Sequence, residues 1–473
     1  MHPMDPLYLL LLGVFVVIGG IVWLRLHPFV ALLAAALAVA VLTPATTLER
    51  NLLAQQKSPA EARARAEDPV GTRLAAKFGS ACGNLGLLIA LASVVGACLL
   101  HSGGAERIVR SALRTFGEKR APAVLAFSGL ILGVPVFFDT VFLLLIPIAR
   151  ALAARTGRDY LLYILAIAVG TTMTHSLVPP TPGPLFAATT LKVDVGLMML
   201  AGLALSALTA TCGLAYAAWA NRRWPTPLRA ISGEAAGLAS PTATFRDEDL
   251  PPLALALAPI VLPVLLISGE TFSDLGLLPA SLVPAASLLG HPNIALALAA
   301  GISLLTLATR PGLGADQVRR HVQSALADGG TILLITAAGG VFGGCLQDTG
   351  VGERLKEVAQ AYSVGVLPLA FIVTALVRVA QGSATVAMVT SVGIVGPLAS
   401  PETLGCHPVY LALTIGCASK LVPWMNDSGF WVLSRSAGLS ERETLRTMSV
   451  MFALMGVVGF LLILAASQLL PLI

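Results

Sequence analysis

The chain has 473 residues, of which 56% are hydrophobic and 12% charged, with a mean hydropathy of +0.84. So much apolar surface exceeds what one water-soluble core can enclose, and lipid is the solvent it requires. The net charge of +5 does not point to nucleic acid, because the basic residues lie in loops between apolar runs, with no interleaved aromatics on which bases could stack.

Leu7 to Leu24 is the first apolar run. It has almost no preceding positive charge and no small-residue cleavage site, so it is expected to stay as a first span rather than to be removed as a signal peptide. Phe29 to Leu48 and Phe78 to Leu100 are likewise long enough to cross a hydrocarbon layer as helices. The mixed-charge stretch 46–77 between them reads as a solvated amphipathic loop, and 103–118 reads as a second amphipathic segment. Two apolar arms, 121–133 and 141–153, then flank a tip at Gly133 to Thr140. Arms of about 13 residues cover only about 20 Å at the helical rise, so the pair must enter and leave on one side as a re-entrant hairpin. A span over 160–190 follows, interrupted at His175 to Pro184, and then a last span at 195–220.

After a polar stretch at 221–250, expected to be a cytoplasmic linker, the order repeats. His27-Pro28 has its counterpart in His291-Pro292, Ser102-Gly103-Gly104-Ala105-Glu106-Arg107-Ile108 in Thr349-Gly350-Val351-Gly352-Glu353-Arg354-Leu355, and Leu177-Val178-Pro179-Pro180 in Leu421-Val422-Pro423-Trp424. The second hairpin spans 366–400 with its tip at Arg378 to Thr385, and the second interruption is Lys420 to Gly429. The predicted fold is therefore an all-α polytopic membrane protein of two repeats, 1–220 and 251–473. Each has about five transmembrane helices, a re-entrant hairpin and one broken helix. An odd number of crossings per repeat inverts the second against the first, and only an extra span within 269–290 would make them parallel. Spans 7–45 and 251–309 form the expected scaffold, and 78–220 with 326–473 the moving part. Lys and Arg are richer in the loops opposite the N-terminus, which predicts an inner membrane location with both termini periplasmic.

Non-helical backbone survives inside a bilayer only where protein or a watery cavity satisfies it, so the two tips and two interruptions are expected to meet. Helices that start at these breaks direct free N–H groups and positive dipole ends at the shared space, which suits an anion. Arg378 and Lys420 are the basic residues expected at membrane depth, the first as a forked donor to a carboxylate and the second as a point charge. Two other readings stand beside these: Arg378 neutralises Asp139 or Asp427, and Lys420 snorkels from a span end. Asp139, Asp427 and His175 are the candidates for a transferable proton. Gln381, Ser383, Thr385, Ser176, Thr181, Gly183, Asn426 and Ser428 complete the candidate substrate set, although each hydroxyl could equally cap a half-helix. The six cysteines have no close-spaced pair and read as core residues, and no metal or cofactor is implied. An intramembrane enzyme is the rival class. It lacks a Gly-x-Ser-x-Gly elbow and a His-Glu-x-x-His pair, and its polar residues would be split between two copies.

Gly133-Val134-Pro135-Val136-Phe137-Phe138-Asp139 with Leu145-Ile146-Pro147, His175 with Val178-Pro179-Pro180-Thr181-Pro182-Gly183-Pro184, Gly382-Ser383-Ala384-Thr385-Val386-Ala387 and Trp424-Met425-Asn426-Asp427-Ser428-Gly429-Phe430-Trp431 resemble the hallmark segments of the gluconate permease family of the ion-transporter superfamily. The resemblance runs over nearly the whole chain. It implies proton symport of gluconate or a related small hydroxy-carboxylate, a homodimer, and an elevator-type motion of the hairpin-bearing part. A sodium-coupled symporter of the same fold is the nearest alternative.

Overall fold

A computed structural model describes residues 5–54, 58–229, 246–351, 353, 354, 357 and 365–472. Most of the predicted linker, and positions 352 and 355 of the repeated motif, lie outside the described residues. The first half runs α1 (Pro6–Val22), α2 (Pro28–Leu42), α3 (Ala45–Ala54), α4 (Pro59–Glu67), α5 (Val70–His101), α6 (Gly104–Phe116), α7 (Ala121–Leu132), α8 (Phe138–Thr156), α9 (Tyr160–Leu177), α10 (Pro182–Thr190) and α11 (Val195–Arg223). The second runs α12 (Leu253–Asp274), α13 (Val283–Gly290), α14 (Pro292–Ala308), α15 (Ala315–Asp348), α16 (Val366–Gln381), α17 (Ala384–Val395), α18 (Pro401–Leu404), α19 (Pro408–Ala418), α20 (Ser428–Ala437), α21 (Glu441–Thr444) and α22 (Val450–Leu469). No strand occurs among the described residues.

By length and hydropathy six helical stretches can cross a membrane, and up to eight if two bent pairs each count as one span. The chain is thus a helical, multi-pass membrane protein. Within 269–290 the structure has the end of α12, which stops at Asp274, and the eight-residue α13, which packs on α12 and at about 12 Å is too short to cross. The stretch 46–77 is not an open loop: it forms α3, α4 and the first two turns of α5. Arg73 and Lys77 therefore sit inside a long helix that was expected to begin near residue 78.

Local chemistry sets several boundaries. His27, His291 and His407 each precede a proline at the first helical position, and each accepts a backbone N–H two residues on through Nδ1, at 3.4, 3.3 and 3.1 Å. Proline loses nothing at that position, because its missing N–H would have had no helical partner. At the far ends of α5 and α15, Gly103 and Gly350 adopt φ of 80° and 79°, a left-handed turn that glycine enters without steric cost. Contacts between helix ends then tie the bundle. Asp5 pairs with Arg354 at 3.1 Å, Arg310 donates to the His101 carbonyl at 2.7 Å, and Tyr160 donates to the Ala437 carbonyl at 2.8 Å.

In lipid, helices gain little from excluding water, so close backbone approach and packing hold them together. The first hairpin arm follows this rule. On α9, a Cβ at Gly170 would run into the Ala126 carbonyl of α7 and stand 2.8 Å from the Leu130 nitrogen. Gly129 and Gly133 face Thr171 in the same seam. Gly170→Val is expected to lower the thermal midpoint sharply, since a backbone atom cannot rotate away and overpacking costs about 1–3 kcal/mol or more. Gly301→Val, on α14 with nothing within 4 Å, should leave the midpoint unchanged, and thermal unfolding of the two purified variants compares them directly.

Candidate functional site

The hairpins α7–α8 and α16–α17 turn at 133–137 and at Gly382-Ser383, and the broken helices α9–α10 and α19–α20 are interrupted at 178–181 and 419–427. The two breaks of the second half carry side-chain caps. Gly382 takes φ of 80° and closes α16 by donating to the Arg378 carbonyl at 2.9 Å. Ser383 opens α17 by accepting the Val386 N–H at 3.3 Å. Asp427 opens α20, its Oδ1 accepting from the nitrogens of Gly429 at 2.6 Å and Phe430 at 3.3 Å.

Three of these breaks, together with the last turns of α9, border a cavity of about 340 Å3, and the interruption at 178–181 does not reach it. Asp139, His175, Arg378, Ser383, Thr385, Lys420, Asp427 and Ser428 line it, so eight of the sequence-derived candidates come together from segments far apart in the chain. First-turn residues of α8, α17 and α20 are in its wall, so three helix N-termini bring positive dipole ends to the space. The fourth, that of α10, is not in the lining.

The other candidates hold the breaks in place. Asn426 Nδ2 donates to the carbonyls of Val379 at 2.9 Å and Ala380 at 3.3 Å, which satisfies end-of-helix acceptors of α16. Trp424 Nε1 also donates to Val379, at 2.9 Å. Ser176 is fully buried where the broken helices cross. It receives a hydrogen bond from Ser419 Oγ at 3.3 Å, and its carbonyl lies 2.5 Å from where a Gly416 Cβ would be. Thr181 donates to the Val178 carbonyl at 2.6 Å, inside its own break. Gly183 leaves room for Met388, whose sulfur would be 2.7 Å from an added Cβ. Gln381 is buried beside the tip with neither amide atom partnered by protein.

Charge within the cavity is divided unevenly. Arg378, 3% exposed, ion-pairs with Asp427 Oδ2 through Nη2, while its Nη1 donates to the Gly382 carbonyl. One guanidinium thereby joins the second hairpin tip to the second interruption. Asp139 makes a weaker contact, its Oδ2 accepting from Ser428 Oγ at 3.4 Å, and among the described residues no cation lies within ion-pair distance of it. Lys420 is 5% exposed and does not snorkel; it faces the cavity. Among the described residues its ammonium has no ion-pair or hydrogen-bond partner, which leaves one cation and one carboxylate in the cavity without direct salt-bridge partners.

Several lining residues have no counterpart among the sequence-derived candidates. Phe137 stands edge-on to His175 with ring centroids 5.9 Å apart, and Ile332 and Ile335 come from α15. Thr172 is buried with its hydroxyl unpartnered by protein. It sits three residues before His175 on one helical face, and that spacing was a usable signal.

A model of the GntP family permeases matches residues 65–470, a range that contains every element of this cavity. The chain belongs to the GntP permease family. A gluconate permease of Pseudomonas aeruginosa is 32% identical over 466 residues, covering 97% of this chain and 98% of its own. The low-affinity gluconate transporter of Escherichia coli K12 is 30% identical over 413 residues, 85% of this chain and 89% of its own. In three dimensions this permease is similar to the YdaH transporter of Alcanivorax borkumensis, with a TM-score of 0.60 at 16% identity over 85% of this chain and 89% of the other. The permease is a transport protein and not an enzyme, so the reading of His175 as part of a hydrolytic site falls away.

Proposed function

We propose that this permease carries gluconate or a related small hydroxy-carboxylate across a bacterial inner membrane by proton symport. The observation that carries the reading is Lys420, a buried ammonium without a direct partner among the described residues, in a cavity that three helix N-termini face. A substrate carboxylate would complete its pairing, and the substrate hydroxyls would meet Ser383, Thr385, Ser428 and Thr172. Arg378 contributes by holding the second hairpin tip against Asp427, with its buried Nε free of protein partners as a further donor. Asp139, Asp427 and His175 remain the proton candidates. The contacts between helix ends support two inverted copies, because the start of α1 and the end of α15 lie together while the ends of α5 and α14 lie together elsewhere, and the excess of Lys and Arg in the loops opposite the N-terminus favours periplasmic termini. Hairpin-bearing halves sliding as an elevator against α1–α2 and α12–α14, and a homodimer built on that scaffold, complete the proposal.

Reconstituted proteoliposomes test it. Labelled gluconate is expected to accumulate when an inside-alkaline pH gradient is imposed and to leak out when a protonophore collapses the gradient. Uptake that follows a sodium gradient at fixed pH would replace the proton with sodium, and no uptake of any hydroxy acid would remove the reading altogether.

A further inference from the structure

A second polar cavity of about 450 Å3 lies further along α15, between the first turns of α5 and the last turns of α15, with α10 and α17 behind it. The central cavity takes Ile332 and Ile335 from α15 and this one begins at Gly340, so about 8 Å of helix separates them at the helical rise. Its volume falls within the range of about 300–1,000 Å3 usual for small-molecule sites. Arg65 and Lys77 present two cations to it and Ser80, Asn84, Thr189, Thr190 and Gln347 five neutral hydrogen-bonding groups, and among the described residues no acidic one is in the lining. Lys77 is fixed at its foot, with Nζ 3.1 Å from Asp348 Oδ1 and donating to the Gly344 carbonyl at 3.1 Å. Arg65 stands at the rim, paired to Glu61 at 2.8 Å. Ser80 and Asn84 are exposed although they lie inside a spanning helix, and a water-filled cavity satisfies such groups where lipid would not.

This chemistry matches an anion that carries several hydroxyls. We propose that the cavity is a second, outer binding site for an anionic polyhydroxylated small molecule, occupied by the transported acid before it reaches the site at the hairpin tips. The inference rests on the transport reading above. It assigns Lys77 to the carboxylate as a point charge and Asn84 and Gln347 to the hydroxyls, and it gives the charged start of α5 a use that a lipid-facing helix would not have. Asp348 holds the ammonium in place and offsets part of its charge, so binding here is weaker than at Lys420 and release inward is not trapped.

The test uses the full-length purified protein and labelled gluconate. Wild-type protein is expected to bind two gluconates per chain with unequal affinity. Lys420→Gln should keep only the weaker one, and Lys420→Gln with Asn84→Leu should bind none. Lys77→Gln with Asp348→Asn removes the ion pair without stranding either charge, and it should raise the KM for uptake about tenfold with kcat unchanged. Asn84→Leu replaces the amide with an apolar side chain at an exposed position, leaves the pair intact and should raise KM in the same way even if the double variant folds poorly. Should Lys420→Gln bind no gluconate while the wild type transports it, or should Asn84→Leu leave KM unchanged, the outer site is overturned and the transport reading stands. A wild type that neither binds nor carries gluconate overturns both.

Discussion

Lys420→Gln is expected to lower kcat/KM for the carried acid at least 30-fold while leaving the thermal midpoint unchanged or slightly raised. The two effects separate because Lys420 has no carboxylate within ion-pair distance among the described residues, so removing its charge strands nothing in the empty protein. In the loaded state the same change leaves a desolvated carboxylate without its counter-charge, and losing one member of such a pair costs about 2–5 kcal/mol. Arg378→Ala behaves in the opposite way. It leaves Asp427 unpaired beside the second hairpin tip and frees the Gly382 carbonyl, so the fold itself should lose about 3–5 kcal/mol. Adding Asp427→Asn to Arg378→Ala removes the stranded charge, and asparagine still caps α20. That double variant should recover much of the midpoint and remain impaired in uptake. Thermal unfolding and initial uptake rates on the four proteins check the set, and a Lys420→Gln protein that transports at the wild-type rate would remove Lys420 from the binding site.

The division of labour between these two cations was only half legible in the sequence. The breaks themselves could be read, because Pro, Gly and short polar residues inside apolar runs leave backbone that must be satisfied. That the tips and interruptions would meet also followed from physics. The neutralising partner of Arg378 was reduced to Asp139 or Asp427, but the choice between them depends on a contact 49 residues away along the chain. From sequence Lys420 is equally consistent with a span end, although His407-Pro408 marks where its helix starts. Twelve residues on, at the helical rise, is about 18 Å, near the middle of a bilayer. Ser176, Thr181, Gly183 and Asn426 are polar or small for the sake of the crossing and the breaks, and residue type alone does not distinguish that use from ligand contact. The charged start of α5 reads as loop from its mixed charge, whereas in the structure Lys77 pairs with Asp348 and borders a cavity.

Asp139→Asn is expected to uncouple transport. The variant should bind gluconate and exchange it across the membrane at close to the wild-type rate, yet fail to accumulate it when a pH gradient is imposed. Asp427 uses one oxygen on two backbone nitrogens and the other on Arg378, so protonating it would break an ion pair and a helix cap together. Asp139 has only the long contact from Ser428 to lose, and a proton can arrive and leave there without disturbing the hairpin. The two carboxylates nevertheless sense each other, because a Cβ at Gly429 would lie 3.1 Å from Asp427 Oδ1 and 3.2 Å from Asp139 Oδ1. Filling the cavity with a substrate carboxylate adds negative charge near both, and a negative neighbour favours the protonated form of a carboxyl group. Substrate and proton would then arrive together, each stabilising the other, which is what symport requires. Asparagine mimics the protonated form permanently: it permits the loaded carrier to move and removes the step that the gradient drives. Counterflow and gradient-driven uptake measured on the same vesicles make the comparison, and full accumulation by Asp139→Asn would transfer the proton to Asp427 or His175.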